Sequence, residues 1–120
     1  MSTILIVEDN ELNRRLFVDL LSTKGYKIFE ATDGTEALRL VKEKKPDLVL
    51  MDIQLPTVSG LEVTKSIRQM PIKQPKIVAI SAFAMKQDAD KALAAGCDDY
   101  ISKPITIGPF FEMVARNLKD

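Results

Sequence analysis

Histidine is absent from this sequence, and cysteine occurs once, at position 97. Without histidine, the chain cannot build a Ser-His-Asp or Cys-His catalytic site, and the usual zinc sites are excluded as well. A single cysteine also excludes an internal disulfide bond. Any chemistry that the chain performs must therefore come from carboxylates, lysine and hydroxyl groups, together with a hard metal ion.

The sequence also lacks net charge and long apolar runs. Its 17 Lys+Arg and 17 Asp+Glu residues cancel, so no overall field attracts nucleic acid or an anionic membrane. The apolar runs are too short to span a bilayer, and the first residues lack the features of a signal peptide. We therefore predict a cytoplasmic protein without nucleic-acid or membrane partners.

Apolar, strand-like runs alternate with helix-like patterns along all 120 residues. The strand-like runs are residues 4–7, 27–31, 48–51, 77–80 and 99–101. This alternation predicts an α/β domain in which five helices cover a doubly wound, five-stranded parallel sheet. Right-handed crossovers leave few arrangements, and we predict the flavodoxin-like strand order 2-1-3-4-5. We expect residues 1–120 to form a single domain without an effector domain.

Apolar spacing predicts which side of each helix is buried. The predicted stripe of the first helix, which Asn10 can cap, consists of Leu12, Leu16, Phe17, Leu20 and Leu21. The stripe of the last helix consists of Ile107, Phe110, Phe111, Val114 and Leu118. The fourth helix, around residues 86–95, has only Ala89, Ala92 and Leu93 to bury. We expect this thinly packed helix to be mobile.

The chain is organised around the stretch from Leu48 to Gly60, where four apolar residues lead directly into Asp52. Such a run is typical of a strand buried on both faces. Alone, Asp52 would be a turn former or a helix cap, but Glu8 and Asp9 follow the first strand in the same way. Strands one and three are neighbours in the predicted order, so these carboxylates meet at the ligand-binding edge of the sheet.

A cation is needed where three carboxylates share one crevice, because they otherwise repel each other. Ligands that offer only oxygen favour a hard ion. We therefore predict Mg²⁺, with Mn²⁺ as an alternative. Glu8 and Asp9 can also cap the first helix, and the two roles are compatible.

Two further groups follow strands at the same rim. Lys103 comes after the fifth strand, and Ser81 ends the fourth. Lys103 could form a plain salt bridge or bind a phosphoryl oxygen as a point charge, and Ser81 could be an ordinary turn hydroxyl. Together with the carboxylates, these groups suit transfer of a phosphoryl group onto Asp52.

With these residues identified, the chain resembles the receiver domains of two-component response regulators along its full length. The motifs that carry the resemblance are Glu8-Asp9, Met51-Asp52, Pro56, Gly60, Ser81-Ala82, Tyr100 and Lys103-Pro104. Within that family, the chain is similar to single-domain members that regulate bacterial cell division. The resemblance implies a phosphorylated signalling protein rather than a multi-turnover enzyme.

The resemblance also implies roles for individual residues. It implies that Asp52 accepts a phosphoryl group from a histidine kinase or a phosphotransfer protein. Asp9, Asp52 and the backbone carbonyl of Gln54 are the implied Mg²⁺ ligands, and Glu8 is implied to act through a water molecule.

By the same resemblance, Ser81 and Lys103 contact the phosphoryl oxygens, and Tyr100 is the switch aromatic. The neutral charge offers no route to DNA, so we expect the signal to leave through protein contacts. The predicted output surface for downstream protein targets is the face made by helix four, strand five and helix five.

The exposed side of the first helix is predicted to dock the kinase. This side lies opposite the predicted buried stripe and beside the active edge. The residues predicted to form it are Arg14, Arg15, Val18 and Ser22.

Other functions fit the sequence less well. A phosphatase of the haloacid dehalogenase type also uses an Asp nucleophile with Mg²⁺, but it needs a second Asp two positions later, where this chain has Gln54. A nucleotide-binding module needs a Gly-rich loop after the first strand, where this chain has Glu8-Asp9-Asn10. A pseudo-receiver that only binds partners and a receiver fragment of a hybrid kinase remain as alternatives.

Overall fold

The structure is a computed structural model that describes residues 2–82 and 86–118. Strands and helices alternate throughout these ranges. In chain order they are β1 Thr3–Val7, α1 Glu11–Ser22, β2 Lys27–Ala31, α2 Gly34–Lys44, β3 Leu48–Asp52, α3 Gly60–Arg68, β4 Lys76–Ser81, α4 Lys86–Ala95, β5 Asp99–Ser102 and α5 Ile107–Leu118. The predicted succession of strands and helices is confirmed.

The strands form one parallel sheet in the order β2-β1-β3-β4-β5, as the sequence predicts. β3 lies at its centre, and all five of its residues are buried. Successive side chains of a strand point to opposite faces, so Val49 and Met51 join one apolar cluster while Leu48 and Leu50 join the other. The continuous apolar run of β3 follows from these two covered faces.

Helices cover both faces of the sheet. α2, α3 and α4 pack on one face, where Val41, Ile67 and Ala92 share an apolar cluster. α1 and α5 pack on the other, where Phe17 stacks on Phe110 with ring centroids 5.6 Å apart. Within the described ranges, no helix is both long enough and apolar enough to cross a bilayer.

The buried side of α1 differs from the predicted one. Leu12 and Leu16 are 79% and 44% exposed, whereas Phe17 and Leu21 are buried. Val18, which was expected on the exposed side, packs partly against the core. The ring of Phe17 stacks against α5, which fixes the rotation of α1 about its axis and turns Leu12 and Leu16 outward. The prediction that these two leucines are buried is therefore wrong.

The predicted stripes of α4 and α5 are each wrong at one position. Leu93 is 52% exposed, because α4 packs through the small residues Ala92 and Ala95. Ile107 is 57% exposed, because it is the first residue of α5 and lies beyond the covered part of the helix. Met113, which the predicted stripe omits, is buried.

Local capping and one arginine fix the connections. Asn10 caps α1, as expected, and its side chain accepts a hydrogen bond from a backbone N–H of the first turn. At the other end of the fold, Arg68 ties α3 to the segment before β4 and to the loop between α4 and β5. Its Nε donates to Gly96 O at 2.8 Å, one Nη donates to Pro75 O at 2.8 Å, and the other donates to Asp98 Oδ2 at 2.8 Å. The carboxyl end of α4 is thereby held to the start of β4.

Candidate functional site

Three carboxylates converge at the carboxyl edge of the sheet. β1 and β3 are neighbours with Val7 opposite Met51, so Glu8, directly after β1, lies level with Asp52, the last residue of β3. Glu8 is 1% and Asp52 3% exposed, and Asp9 is exposed. One carboxylate oxygen from each of the three lies within 4.8 Å of the others. The structure thus brings together the acidic residues that the sequence singled out.

Lys103 enters this crevice from β5. Its Nζ lies 2.9 Å from Glu8 Oε1 and 3.6 Å from Asp52 Oδ2, and only 18% of its side chain is exposed. Its backbone N–H donates to Ser81 O at 2.7 Å, which anchors it to the end of β4. The ammonium therefore lies between two buried carboxylates as their internal counter-ion.

The side chain of Gln54 links the loop after β3 to the end of β4. Its Nε2 donates to Ser81 Oγ at 3.0 Å, and its Oε1 accepts from Ala82 N at 3.3 Å. Its backbone N–H donates to Asp52 Oδ1 at 2.9 Å. Sequence reasoning gave Gln54 only a backbone role. The parallel pairing of β3 with β4 was the signal that could have suggested a side-chain bridge to Ser81.

Glu8 is the acidic group whose environment is most unusual. Burial raises the pKa of Glu8 from 4.5 to about 7, and a hydrogen bond with Asp52 acts in the same direction. The Lys103 ammonium and the Asn10 N–H oppose this rise. One lysine therefore compensates the two buried carboxylates only in part.

The carboxylate set fits a hard divalent ion. Its donors are all oxygen, two of them are buried and short of positive charge, and Asp9 offers a third oxygen within reach. This donor chemistry is the one that Mg²⁺ prefers. Glu8, Asp9 and Asp52 are therefore the residues that could hold such an ion.

Gly60 fixes the start of α3 against the backbone of Asp52. A Cβ atom at this position would overlap the Asp52 carbonyl oxygen, and the Gly60 N–H donates to Ile53 O at 2.9 Å. The sequence gave Gly60 as part of a motif without a structural reason. The close approach of α3 supplies that reason.

Tyr100 lies on β5 opposite Ala79 and is partly buried against the core. Its neighbour Asp99 is bound by α5. Burial, which alone would raise the pKa of Asp99, is outweighed by hydrogen bonds from Arg116, Asn117 and the Tyr100 N–H, so this pKa is lowered. The switch role of Tyr100 stays a prediction.

The four predicted docking residues do not share one exposed face. Arg15 and Ser22 are exposed, but the Arg14 side chain is only 17% exposed and Val18 is half-buried. Arg14 Nε donates to Glu30 Oε1 at 3.0 Å, and its Nη1 donates to Glu8 O at 3.0 Å. The exposure expected for Arg14 and Val18 is therefore wrong, because α1 is rotated, while docking itself stays a prediction.

The chain belongs to the response regulator receiver domain family, whose model matches residues 4–115. Among its relatives are the polar-differentiation response regulators DivK of Brucella anthropi and Brucella melitensis. Each is 48% identical over 119 residues, which cover 98% of this chain and 97% of the relative. The predicted family and the predicted likeness to cell-division regulators are confirmed, and the chain is a two-component signalling protein of the DivK type.

Solved structures agree with the fold. A response regulator from Chloroflexus aurantiacus has a TM-score of 0.94 at 28% identity, covering 99% of this chain and 98% of that one. The receiver domain of the sensor histidine kinase PA1611 from Pseudomonas aeruginosa, solved with magnesium in its active site cleft, has a TM-score of 0.90 at 31% identity, covering 99% and 98%.

A third similar structure is the co-crystal of the Saccharomyces cerevisiae phosphotransfer protein Ypd1 with the receiver domain of Ssk1. Its TM-score is 0.87 at 32% identity, covering 95% of this chain and 86% of that one. The receiver fold is thus shared across bacterial and yeast proteins.

Proposed function

We propose that Asp52 accepts a phosphoryl group from a phosphohistidine of a histidine kinase or a phosphotransfer protein. In this step the P–N bond breaks, a P–O bond forms to a carboxylate oxygen of Asp52, and the imidazole leaves with the electron pair. The observation that carries the proposal is the position of Asp52, 3% exposed and 3.6 Å from the Lys103 ammonium. The PA1611 receiver, with magnesium in its cleft, and the Ssk1 complex with Ypd1 support it by analogy.

Each residue of the crevice has a proposed part in this transfer. Asp9, Asp52 and the Gln54 backbone carbonyl would hold Mg²⁺, with Glu8 acting through water, and the ion would neutralise charge on the transferring group. Lys103 Nζ, 2.9 Å from Glu8 Oε1, is within reach of an oxygen on Asp52. Its proposed part is to stabilise the phosphoryl group as a point charge.

Ser81 contributes its hydroxyl from the end of β4, where the amide of Gln54 donates to it at 3.0 Å. Because Ser81 Oγ is the acceptor in that hydrogen bond, its own O–H could donate to a phosphoryl oxygen and draw the end of β4 toward Asp52. The chain thereby takes part in its own phosphorylation and dephosphorylation without being a multi-turnover enzyme.

We further propose that phosphorylation biases two states of the face formed by α4, β5 and α5. α4 is held by small residues, Ala92 and Ala95, so little apolar burial opposes its displacement. Tyr100 would change rotamer on β5, and downstream proteins would read the altered face. We propose that the chain acts as a receiver domain in control of cell division. The cytoplasmic location stays a prediction.

Intact mass spectrometry after incubation with acetyl phosphate and Mg²⁺ tests the central proposal. Wild-type protein should gain one phosphoryl group, and Asp52→Asn should gain none while keeping its circular dichroism spectrum. Asp90→Asn changes an exposed carboxylate of α4 and should be labelled like wild type. Labelling of folded Asp52→Asn would mean that another residue is phosphorylated. An unlabelled wild type would mean that the chain is a pseudo-receiver.

A further inference from the structure

The edge of the sheet opposite Asp52 carries a cleft that phosphotransfer does not use. Its volume is about 810 Å³, and it lies where β4 begins and α2 ends. We call it the lysine-edge cleft. The lining residues that matter here are Lys45, Pro46, Ile72, Lys73, Lys76 and Leu118, among others that include Asp47.

The rim of this cleft has an excess of positive charge. Lys45 and Lys73 form no ion pair within residues 2–82 and 86–118. Lys76 Nζ is 4.0 Å from Asp98 Oδ1, and 57% of its side chain is exposed, so this pair is weak. Asp47, the acidic residue of the lining, accepts a hydrogen bond from Thr3 N at 2.8 Å. The lining thus carries three lysines and one carboxylate, and that carboxylate already has a hydrogen-bond partner.

Helix stabilisation explains only some of the lysines at this end of the molecule. Lys42 and Lys44 lie in the last turn of α2, where cations interact favourably with the helix dipole. Lys45, with φ of 48°, caps the same helix. Lys73 and Lys76 belong to no helix, so stabilisation of a helix end does not explain their positions beside the cleft.

The floor of the cleft is apolar. Ile72 and Leu118 are half-buried and pack against the two core clusters on opposite faces of the sheet, and the buried Pro46 also lines the cleft. A concave apolar floor under a basic rim is suited to an apolar side chain flanked by carboxylates. A flat membrane would reach the rim but not the floor, and the lining has no aromatic or arginine side chain of the kind that stacks on bases.

We propose that the lysine-edge cleft binds an extended acidic segment of a partner protein, with one apolar side chain of that segment against Ile72. β3 separates the cleft from Asp52 by its full length, roughly 13 Å at about 3.3 Å per residue. The segment and a phosphoryl donor can therefore bind at the same time. The cleft would hold a partner near the protein whether or not Asp52 is phosphorylated.

Amide chemical shifts provide the test. The probe is a synthetic peptide with one leucine flanked by glutamates, and the control peptides carry serine for leucine or lysine for glutamate. Addition of the probe should leave the amide signals of Glu8 and Asp52 unchanged and shift those of the non-proline residues around the cleft, which are Lys45, Asp47, Ile72, Lys73, Gln74 and Lys76. Both control peptides should bind roughly tenfold more weakly or not at all, and binding should weaken as salt increases.

Charge reversal at the rim completes the test. Lys45→Glu/Lys73→Glu should weaken binding of the probe roughly tenfold, whereas Lys65→Glu/Lys91→Glu, at exposed lysines of α3 and α4, should bind like wild type. Dispersed amide spectra will show that both variants are folded. Absence of shifts in wild type, equal binding by both variants, or tighter binding of a DNA duplex or phosphatidylserine vesicles through the same residues would overturn the proposal.

Discussion

The buried carboxylate of Glu8 should make the stability of the metal-free protein depend on pH. The folded protein holds a proton on Glu8 up to about pH 7, whereas the ordinary value for the unfolded chain is 4.5. Between these values the folded state binds more protons than the unfolded state. The free energy of unfolding should therefore decrease as the pH rises from about 4.5 to about 7.

The size of this effect follows from the shift. At about 1.4 kcal/mol per pKa unit, a rise from 4.5 to about 7 corresponds to a loss of about 3 kcal/mol above pH 7. Asp99 has a lowered pKa, so its contribution is lost only in more acidic solution, as the pH falls through that lowered value. The two effects occupy separate pH ranges and can be measured separately.

Urea denaturation at several pH values without divalent ions, for wild type and for Glu8→Gln, isolates the Glu8 contribution. The variant carries a neutral side chain at every pH, so its stability should exceed that of wild type by a margin that grows from pH 5 to pH 8. Glu112→Gln, at an exposed position of α5, controls for loss of a carboxylate. Parallel pH profiles for wild type and Glu8→Gln would refute the reasoning. Addition of Mg²⁺ should stabilise wild type more at pH 8 than at pH 5.

Four further substitutions test the packing. Gly60→Ala should cost about 1–3 kcal/mol in urea denaturation, because the new methyl group overlaps the backbone of Asp52; an unchanged midpoint would contradict this contact. Arg68→Met should cost on the order of 3 kcal/mol and speed amide exchange near the end of α4, since several hydrogen bonds are lost. Leu12→Ser should cost under about 0.5 kcal/mol and Phe17→Ala about 3–5 kcal/mol; a loss of several kcal/mol for Leu12→Ser would show that Leu12 is buried, as the sequence predicted.

The strand order and the acidic crevice were predictable because they depend on patterns within short stretches. A buried run that ends in Asp52, and a second that ends in Glu8-Asp9, place carboxylates at one edge once the sheet is parallel. The rotation of α1 was not predictable in the same way. Leu12 and Leu16 fit a helical stripe as well as Phe17 does. Only the stacking of Phe17 on Phe110 of α5 determines which side of α1 is buried.

Contacts between side chains that are distant in the sequence could not be predicted either. Nothing in the local pattern indicates that the Gln54 amide reaches Ser81, or that Arg68 joins Gly96 to Asp98. The pKa of Glu8 is also a property of the assembled crevice, because burial and Asp52 raise it. Such features depend on distances set by the whole fold.

The close approach of Gly60 to the backbone of Asp52 makes the crevice stiff on one side and compliant on the other. α3 is tied to the end of β3, because Gly60 packs directly on the Asp52 carbonyl and its N–H donates to Ile53 O. On the opposite side, Ser81 is joined to Asp52 through the amide of Gln54, a link that can break and re-form. A change at Asp52 would therefore meet a fixed backbone contact on the α3 side and a breakable hydrogen bond on the β4 side.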